Sequence, residues 1–511
     1  MRIDGKKLLK RFGWTVLGLV TLTALFFTIE NWRGARAWEK VRARLVEEGE
    51  PLTFTEIVPA PIPADQNICA IPLIASLTDF EETTTNDRLT GQTASELVYH
   101  RPQIRDQFLA MKLPDKSSGF SDADPPKMSD HLLGRPIDLG SWADYLDSNE
   151  SFELGDPALP AAERILLGYA PFAPLLDEIT AAAHARTGAQ LPFKVGETYP
   201  ELVSMSMPHL SAIRDFSRFI ALRTEAAIAT GNTELARDGL LIQFRLAEAC
   251  GSQPTLITHL FQITLVRQAI NSIWNGLREH RWTLEDLQWI DGQLAQIDLT
   301  LAATRAFRGE LAFYLGGIQW IKSLGLGDLK DMTGKADPQD PIAMLMPFGL
   351  IPKGWLDQNA AVGATLLFET AILPLKNRTF SDSVTSQIEE LQRSRTPYNL
   401  LAAIFLPAID SVLVKSIHSQ TTIELARGAC ALERHFLQLQ TYPDTLDALV
   451  PNLLTSLPQD PMTQQPLLYQ KEDNGFLLYS VGWNLQDDGG KLEMQNEGRQ
   501  DLKIGDWVWR N

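Results

Sequence analysis

Cysteine is scarce in this sequence: its 511 residues include only Cys69, Cys250 and Cys430. The three are far apart and form no CxxC pair, so a zinc ribbon and a disulfide scaffold are both excluded. Cys250 and Cys430 lie in apolar helical segments, where a buried and chemically inert thiol is the usual state. Three such residues do not indicate a cellular compartment.

Motifs of known catalytic chemistry are also missing. The sequence contains no GxSxG, HExxH, P-loop, GxGxxG or EF-hand pattern. Its eight histidines are scattered, and His418 and His435, which share one helical segment, are 17 positions apart. Glu424 and Glu433 are better explained as solvated helix charges than as an acid–base pair. We therefore expect a protein that is not an enzyme, with a hydrolase of dispersed site residues as an alternative.

Positive charge is in deficit. The chain has 46 Lys and Arg against 63 Asp and Glu, which gives a formal net charge of −17. The average field of such a chain repels polyanions, so we expect no nucleic-acid partner. The acidic residues also supply oxygen ligands for hard cations, although solubility is their commoner role. The length allows about three domains and a sizeable core.

One long stretch carries no charge at all. Phe12–Ile29 is an uncharged run of 18 residues, and at helical rise it spans ~27 Å, close to the thickness of a bilayer core. Trp14 and Trp32 stand near its ends, as in an aromatic belt. The sequence therefore predicts a basic cytoplasmic tail at 1–11 and a transmembrane anchor at 12–29. The alternative is a cleaved signal peptide, but its possible site, Ala35–Ala37, is interrupted by an arginine and the run is too long.

Residues 30–158 predict a juxtamembrane helix and a proline-rich extended region. The segment Trp38–Glu50 alternates charges at helical spacing, which predicts a solvated helix leaving the membrane. Prolines then recur between 51 and 72, where each removes a hydrogen-bond donor and fixes φ. Leu113–Pro136 is rich in Pro, Ser, Asp and Gly and predicts a surface loop.

Residues 159–396 predict a helical domain. Apolar residues within Leu210–Ile220 recur at spacings of three and four, Asn232 is placed to cap the helix that follows, and Thr283–Asp286 resembles a capping box. Short connections between such helices predict a bundle or an α-solenoid. No fixed period supports tetratricopeptide or HEAT repeats. The later apolar run Leu400–Leu413 is too short for a second membrane span and predicts a core helix.

The last part of the chain, 397–511, combines a helix with strands. The pattern predicts a helix over Thr421–Gln440, a break at Tyr442-Pro443, and a tight turn at Leu457–Pro461. The stretches PLLYQ and GFLLYSVG then predict two strands, which are followed by an acidic, glycine-rich loop. This order resembles the globular half of the major pseudopilin of type II secretion. The resemblance implies a small α+β domain at 397–511.

The same resemblance implies a calcium site in the loop between Trp483 and Asp506. In that family the loop after the second strand binds calcium through aspartates and backbone carbonyls, and calcium takes six to eight oxygens. Here Asn484 stands where the family has an aspartate, so the site has one charge fewer, and the insert before Asp501 is longer. A plain surface turn is the alternative. The implied ligands are Asn484, Asp487, Asp488, Asp501 and Asp506.

The whole chain also resembles a group of large membrane-anchored bacterial proteins of the Planctomycetes–Verrucomicrobia type. The stretches that carry this likeness are WEKVRARLVEEGE, PAPIPADQN, ALERHFLQLQTYP and LYSVGWNLQDDGG. The group lends no activity to this chain. Basic residues do not decide the orientation, since five precede the apolar run and five follow it closely. The pseudopilin resemblance implies a single-pass protein of the inner (cytoplasmic) membrane with the bulk of the chain extracytoplasmic.

These observations favour a non-enzymatic interaction or structural protein that is held in the membrane by its N-terminal helix and has protein partners. The alternative is a component of a type II secretion or pilus-like assembly. Such a component would undergo prepilin-type cleavage, which Arg11–Gly18 faintly resembles, but Gly18 occupies the position of the family's glutamate. A mature chain that begins at Trp14 would support this alternative.

Overall fold

The chain is mainly helical, as the sequence predicts, with small sheets near its C-terminal end. The computed structural model describes residues 5–86, 93–114, 124–149, 151–194, 196, 199–324, 351–381, 383–473, 475–495 and 499–510. Its helices are α1 (Gly5–Glu47), α2 (Phe54–Ile57), α3 (Pro72–Ala75), α4 (Pro102–Ala110), α5 (Leu139–Asp147), α6 (Ala161–Gly168), α7 (Ala173–Ala185), α8 (Tyr199–Val203), α9 (Pro208–Thr230), α10 (Thr233–Gly251), α11 (Leu256–Arg278), α12 (Leu284–Leu294), α13 (Leu299–Ser323), α14 (Lys353–Leu367), α15 (Leu373–Asn377), α16 (Ser383–Arg393), α17 (Leu400–Phe405) and α18 (Pro407–Leu439).

Within the described residues, the strands form three separate antiparallel sheets. Two of these sheets are two-stranded and pair β1 with β2 and β5 with β6, and the third has the order β3-β4-β7. The strands are β1 (Phe80–Asn86), β2 (Thr93–Tyr99), β3 (Leu468–Glu472), β4 (Gly475–Ser480), β5 (Leu492–Met494), β6 (Gln500–Gly505) and β7 (Trp507–Arg510).

Helix α1 runs without a break through the uncharged segment and 18 residues beyond Ile29. Most of its apolar side chains between Leu9 and Ile29 are exposed, and the helix is long and apolar enough to cross a membrane. A second stretch, Ala161–Ala185, passes the same test of length and composition. It consists of α6 and α7 joined by a 3₁₀ turn, and its Ile165, Leu176 and Ile179 are buried in the core.

The segment that follows the uncharged run differs from the solvated helix that its charges predict. Leu45 is buried, and Trp38 and Val41 pack against the same core, so one face of this half of α1 is covered by protein. The alternating charges occupy the other face, where Glu39 and Arg42 form an exposed ion pair. The charge pattern predicts the helix but not its packing, because the buried face of this segment contains only three apolar residues.

Local helix signals are confirmed where the structure tests them. Gly231 ends α9 in the left-handed region, with φ of 76°, and the side chain of Asn232 accepts a hydrogen bond from Leu235 N at 3.1 Å. Thr283 and Asp286 form the predicted capping box, with each side chain accepting from the other residue's backbone N–H. These caps stop and start helices within a few residues, so α9–α12 fold back onto one another.

Helix α18 is longer than predicted. The sequence predicts a core helix within Leu400–Leu413 and another over Thr421–Gln440, whereas one helix runs through Pro407–Leu439. Pro407 does not interrupt it, because proline at the first turn removes a hydrogen bond that the helix lacks there in any case. Asp410 is compatible with the helix because its carboxylate pairs with Lys503 and accepts from Thr385.

Two large apolar cores stabilise the part of the chain that the structure describes. The first extends from Ile68 to Trp509 and includes α9–α12, the C-terminal half of α18 and one face of the three-stranded sheet. The second joins α13, α14 and the N-terminal half of α18 to Leu45 of α1 and to Trp483 and Trp507. Both cores take residues from both sides of the domain boundary predicted between 396 and 397.

The predicted hairpin of β3 and β4 is confirmed, with Glu472 paired to Gly475. Strand β4 is buried on both faces, because Phe476 and Leu478 enter the first core while Leu477 and Tyr479 pack with Val508. The sequence analysis did not predict β7, nor the β1–β2 hairpin in the proline-rich region. It also treated the stretch Trp483–Asp506 as one loop, whereas β5 and β6 form a hairpin within it.

Candidate functional site

Helix α1 crosses the start of α14 at two glycines. A Cβ at Gly34 would lie 1.9 Å from Gly354 O, and a Cβ at Gly354 would lie 1.9 Å from Glu30 O. No side chain fits at either position, so the two backbones touch directly. The contact is fixed further by Asn31, whose side-chain oxygen accepts from Gly354 N at 2.8 Å.

Glu30 is the first charged residue after the uncharged run, and it is buried at this crossing. Its carboxylate accepts from Arg33 at 2.7 Å and from the indole nitrogen of Trp355 at 2.8 Å. Phe26 packs edge-on against the same indole, and the Arg33 guanidinium lies 5.9 Å from the ring centroid of Tyr398. Aromatic and basic side chains therefore surround the point where the apolar run meets the helical body.

Glu50, just beyond the C-terminal end of α1, connects this part of the chain to the helical body. Its side chain is fully buried and binds Arg308 of α13 at 2.7 and 3.1 Å and Lys376 of α15 at 2.7 Å. Burial opposes ionisation of the carboxyl, but the hydrogen bonds and charges of Arg308 and Lys376 outweigh it and hold the pKa of Glu50 below its ordinary value. One carboxylate thus joins three segments that are distant in the sequence.

We call Glu30, Gly34, Glu50, Gly354 and Trp355 the anchor joint. Glu50 lies three residues beyond the end of α1 at Glu47, and the helix rises about 25 Å between Glu30 and Glu47. Contacts at both ends, with Leu45 buried between them, fix the direction of α1 relative to the body. A displacement of the apolar half of α1 can be transmitted to α13 and α14, because α1 is one continuous helix from that half to the joint.

The C-terminal loop, Trp483–Asp506, is organised by one of the predicted calcium ligands. Asp506 is fully buried, and its carboxylate accepts from Gly490 N at 2.6 Å and from Asp488 N at 3.3 Å. Its own N–H donates to Lys491 O at 2.8 Å. Burial raises the pKa of Asp506, and the charges of Asp488 and Asp487 raise it further, while the two backbone N–H groups lower it.

Glycine is required at Gly482, directly before this loop, and at Gly490 within it. A Cβ at Gly482 would lie 2.4 Å from Gly505 O, and one at Gly490 would lie 2.4 Å from the Leu477 side chain. Both glycines also have positive φ, 67° and 73°. The acidic, glycine-rich composition is therefore explained by a turn that packs on β4 and presents its N–H groups to Asp506.

The remaining predicted ligands divide into two sets. Asp487 accepts from Gly489 N at 2.9 Å, and Asp488 accepts from the Asn484 amide at 3.0 Å, so these residues lie with Asp506 in one loop. Asp501 is on β6, where it accepts from Lys503 N at 3.0 Å and from the Gln495 amide at 3.4 Å. Within the described residues, no group of three or more His, Cys, Asp and Glu is arranged to hold a metal.

The oxygens of Asp506 and one oxygen each of Asp487 and Asp488 are thus already engaged by protein donors. A calcium ion at this loop would have to share or displace those donors, since calcium takes six to eight oxygens. The geometry accordingly does not present a preformed calcium cage. It brings Asn484, Asp487, Asp488 and Asp506 together and leaves Asp501 with other partners.

None of the residues of the anchor joint was predicted from the sequence to lie at a site. Glu30 had a usable signal, because it is the first acid after the uncharged run, but nothing local marks Gly34, Gly354 or Glu50. Comparison of the chain with protein-family models, curated proteins and solved structures finds no match in any of the three. The pseudopilin resemblance therefore stays a prediction.

Gly34→Ala tests the helix crossing. The added methyl group must push α1 away from α14, and overpacking of this kind costs about 1–3 kcal/mol. We expect a lower midpoint for unfolding of the full chain in detergent, measured by circular dichroism. Gly18→Ala, on the exposed part of the same helix, has nothing within 4 Å of the added Cβ and serves as the control. Equal midpoints for the two variants would contradict the crossing.

Glu50→Gln tests the buried ion pairs. The substitution leaves Arg308 and Lys376 without a charged partner. Because both cations keep some contact with water, we expect the free energy of unfolding to fall by about 3 kcal/mol. The exposed control Glu39→Gln should leave the unfolding midpoint unchanged.

The stabilisation that Glu50 provides should also depend on pH. Because the pKa of Glu50 is lowered in the folded state, its contribution is fully present above the ordinary value of 4.5 and is lost as the pH falls through the folded-state value. The difference in unfolding midpoint between wild type and Glu50→Gln should therefore be constant near neutral pH and shrink in acid. A difference that grows on acidification would contradict the assignment.

Proposed function

We propose that this chain is a membrane-anchored, non-enzymatic interaction protein whose helical body is held rigidly relative to the membrane. The observation that carries the proposal is the continuity of α1, which passes from an exposed apolar segment directly into the anchor joint. A flexible tether would suffice for anchoring alone. A fixed joint suits a protein that presents one surface to a partner at a set distance from the bilayer.

The exposed apolar segment supports the membrane part of the proposal. Phe12, Leu19 and Leu22 are each about two-thirds exposed, and so is Trp14 near the start of the run. Contiguous apolar surface of this extent is not stable in water, whereas a bilayer core solvates it. We place the chain in the inner (cytoplasmic) membrane as a single-pass protein, with the residues after Glu30 extracytoplasmic.

Accessibility of introduced cysteines tests this topology. The three native cysteines are buried, so they should give little background labelling. We expect Ser151→Cys, in the body, to react with a membrane-impermeant maleimide on spheroplasts, and Lys10→Cys, before the apolar run, to react only after permeabilisation. Both positions are exposed. The reverse pattern would overturn the orientation, and labelling of both without permeabilisation would overturn membrane insertion.

A role in a secretion or pilus-like assembly is the second candidate. The observation that favours it is the order of α18, the Tyr442-Pro443 break, and the β3–β4 hairpin, which follows the pseudopilin pattern. Here, however, α18 is surrounded by the helical body instead of continuing the membrane helix. Sequencing of the mature N-terminus separates the candidates, since Trp14 as the first residue would favour the assembly role.

Calcium binding by the C-terminal loop is a further part of the proposal. It is supported by the mutual repulsion of Asp487, Asp488 and Asp506, which a cation would relieve. We expect the full chain to melt at a higher temperature with calcium than with chelator, because a ligand of the folded form stabilises it by mass action. Asp487→Asn should remove this difference, while Asp501→Asn, on β6, should retain it. An equal melting temperature in both conditions would mean that the loop is a plain turn.

A further inference from the structure

A pocket of about 340 Å³ lies between α9, α11 and the segment 125–135. Its lining is unusually basic for a chain with a net charge of −17, since it includes Lys127, Arg135, Arg218 and Arg267 against a single carboxylate, that of Asp130. The pocket therefore attracts anions, whereas the average field of the protein repels them.

The arginines of the pocket are largely free to bind a ligand. Arg218 and Arg267 have neither a hydrogen bond nor an ion pair with any residue that the structure describes. Arg135 reaches Asp130 only at 3.6 Å, and its buried Nε atom has no partner. Arginines in acidic proteins normally pair with carboxylates, so three that converge on one cavity with so few partners point to an external anion.

The two amide side chains in the pocket also present donors. The oxygen of Asn271 accepts from the backbone N–H of His131 at 3.2 Å and from its ring Nδ1 at 2.7 Å. The oxygen of Gln268 accepts from the Ser217 hydroxyl at 2.6 Å. With their oxygens occupied, Asn271 and Gln268 each keep a free NH₂ group, which donates and does not accept.

His131 holds its amide partner in this orientation for a physical reason. Its ring is buried, and burial lowers the pKa of His131 to about 4, so the ring is neutral at physiological pH. A neutral ring that bonds an amide oxygen through Nδ1 must carry its proton there. Asn271 is thereby fixed with its oxygen toward His131.

Two serines, Ser129 and Ser272, also line the pocket. The Ser129 hydroxyl donates to the buried carboxyl of Glu225 at 2.5 Å, and Asn275 donates to its other oxygen at 2.9 Å. Burial raises the pKa of Glu225 to about 7, and the nearby side chains of Ser129, Ser272 and Asn275 oppose this rise. Both serines therefore interact with Glu225, and the free donors of the pocket are its guanidinium and amide groups.

We propose that this pocket binds a small anionic molecule through a phosphate or carboxylate group. Guanidinium groups match the geometry of both anions, and the NH₂ groups of Asn271 and Gln268 supply further donors. The volume is at the lower end of the range for small-molecule sites, which suits one anionic group with a small body attached. This inference does not depend on membrane topology or on the calcium proposal.

Binding is tested on the full-length chain in detergent by isothermal titration with sodium phosphate and sodium succinate, at constant ionic strength kept with chloride. We expect saturable binding of at least one probe at one site per chain. The ratio of the two affinities identifies the group that the pocket prefers. No saturable heat with either probe would overturn the proposal.

Variants on α9 and α11 locate the site. Arg218→Gln and Arg267→Gln should each weaken binding by about tenfold, because each removes one charge-assisted contact. Arg214→Gln is the matched control, since this arginine lies one turn before Arg218 on α9 but is bonded to Asp215 at 3.1 Å outside the pocket. It should change affinity by less than about twofold. An equal loss of affinity in Arg214→Gln and Arg218→Gln would mean diffuse electrostatic attraction and would overturn the site. The proposal would also be overturned if phosphate raised the melting temperature equally in wild type and in the double variant Arg218→Gln, Arg267→Gln.

Discussion

The direct backbone contact of α1 with α14 is the constraint on which the rest of the arrangement depends. Gly34 and Gly354 allow the two helices to approach until one backbone touches the other, which no residue with a Cβ would permit. That approach buries Glu30 against Trp355 and brings the end of α1 to the site where Glu50 meets Arg308. Helix α1 is thereby a structural element of the body, and the direction of the body relative to α1 follows from packing.

Buried carboxylates connect segments that are distant in the sequence of this acidic chain. Glu50 joins α1 to α13 and α15, and Asp506 ties the C-terminal loop to the start of β7. Each removes charge from water, and each is compensated by cations or backbone N–H groups that come from distant segments. The arginine pocket shows the reverse arrangement, because Arg218 and Arg267 lie together without carboxylate partners among the described residues. We infer that the buried carboxylates stabilise the fold and that the unpaired arginines bind a ligand.

Much of the local structure could be predicted from the sequence, because its causes are local. The cap at Asn232 and the capping box at Thr283 each involve residues three apart, and the β3–β4 hairpin is closed by a short connection. Strand β7 was missed for the opposite reason. Its four residues gain their structure by pairing with β4, about thirty positions earlier, and by burying Trp509 in a core that begins at Ile68.

For the candidate sites, the sequence alone determined the uncharged run of α1, the helical class of the body, and the acidic, glycine-rich character of the C-terminal loop. These depend on composition and on spacing within one turn or hairpin. Only the tertiary structure decided that Asp506 gathers loop amides, that Asp501 has other partners, and that Glu50 pairs with Arg308, 258 positions away. Such pairings depend on which segments the two cores bring side by side, and no periodicity along the chain carries that information.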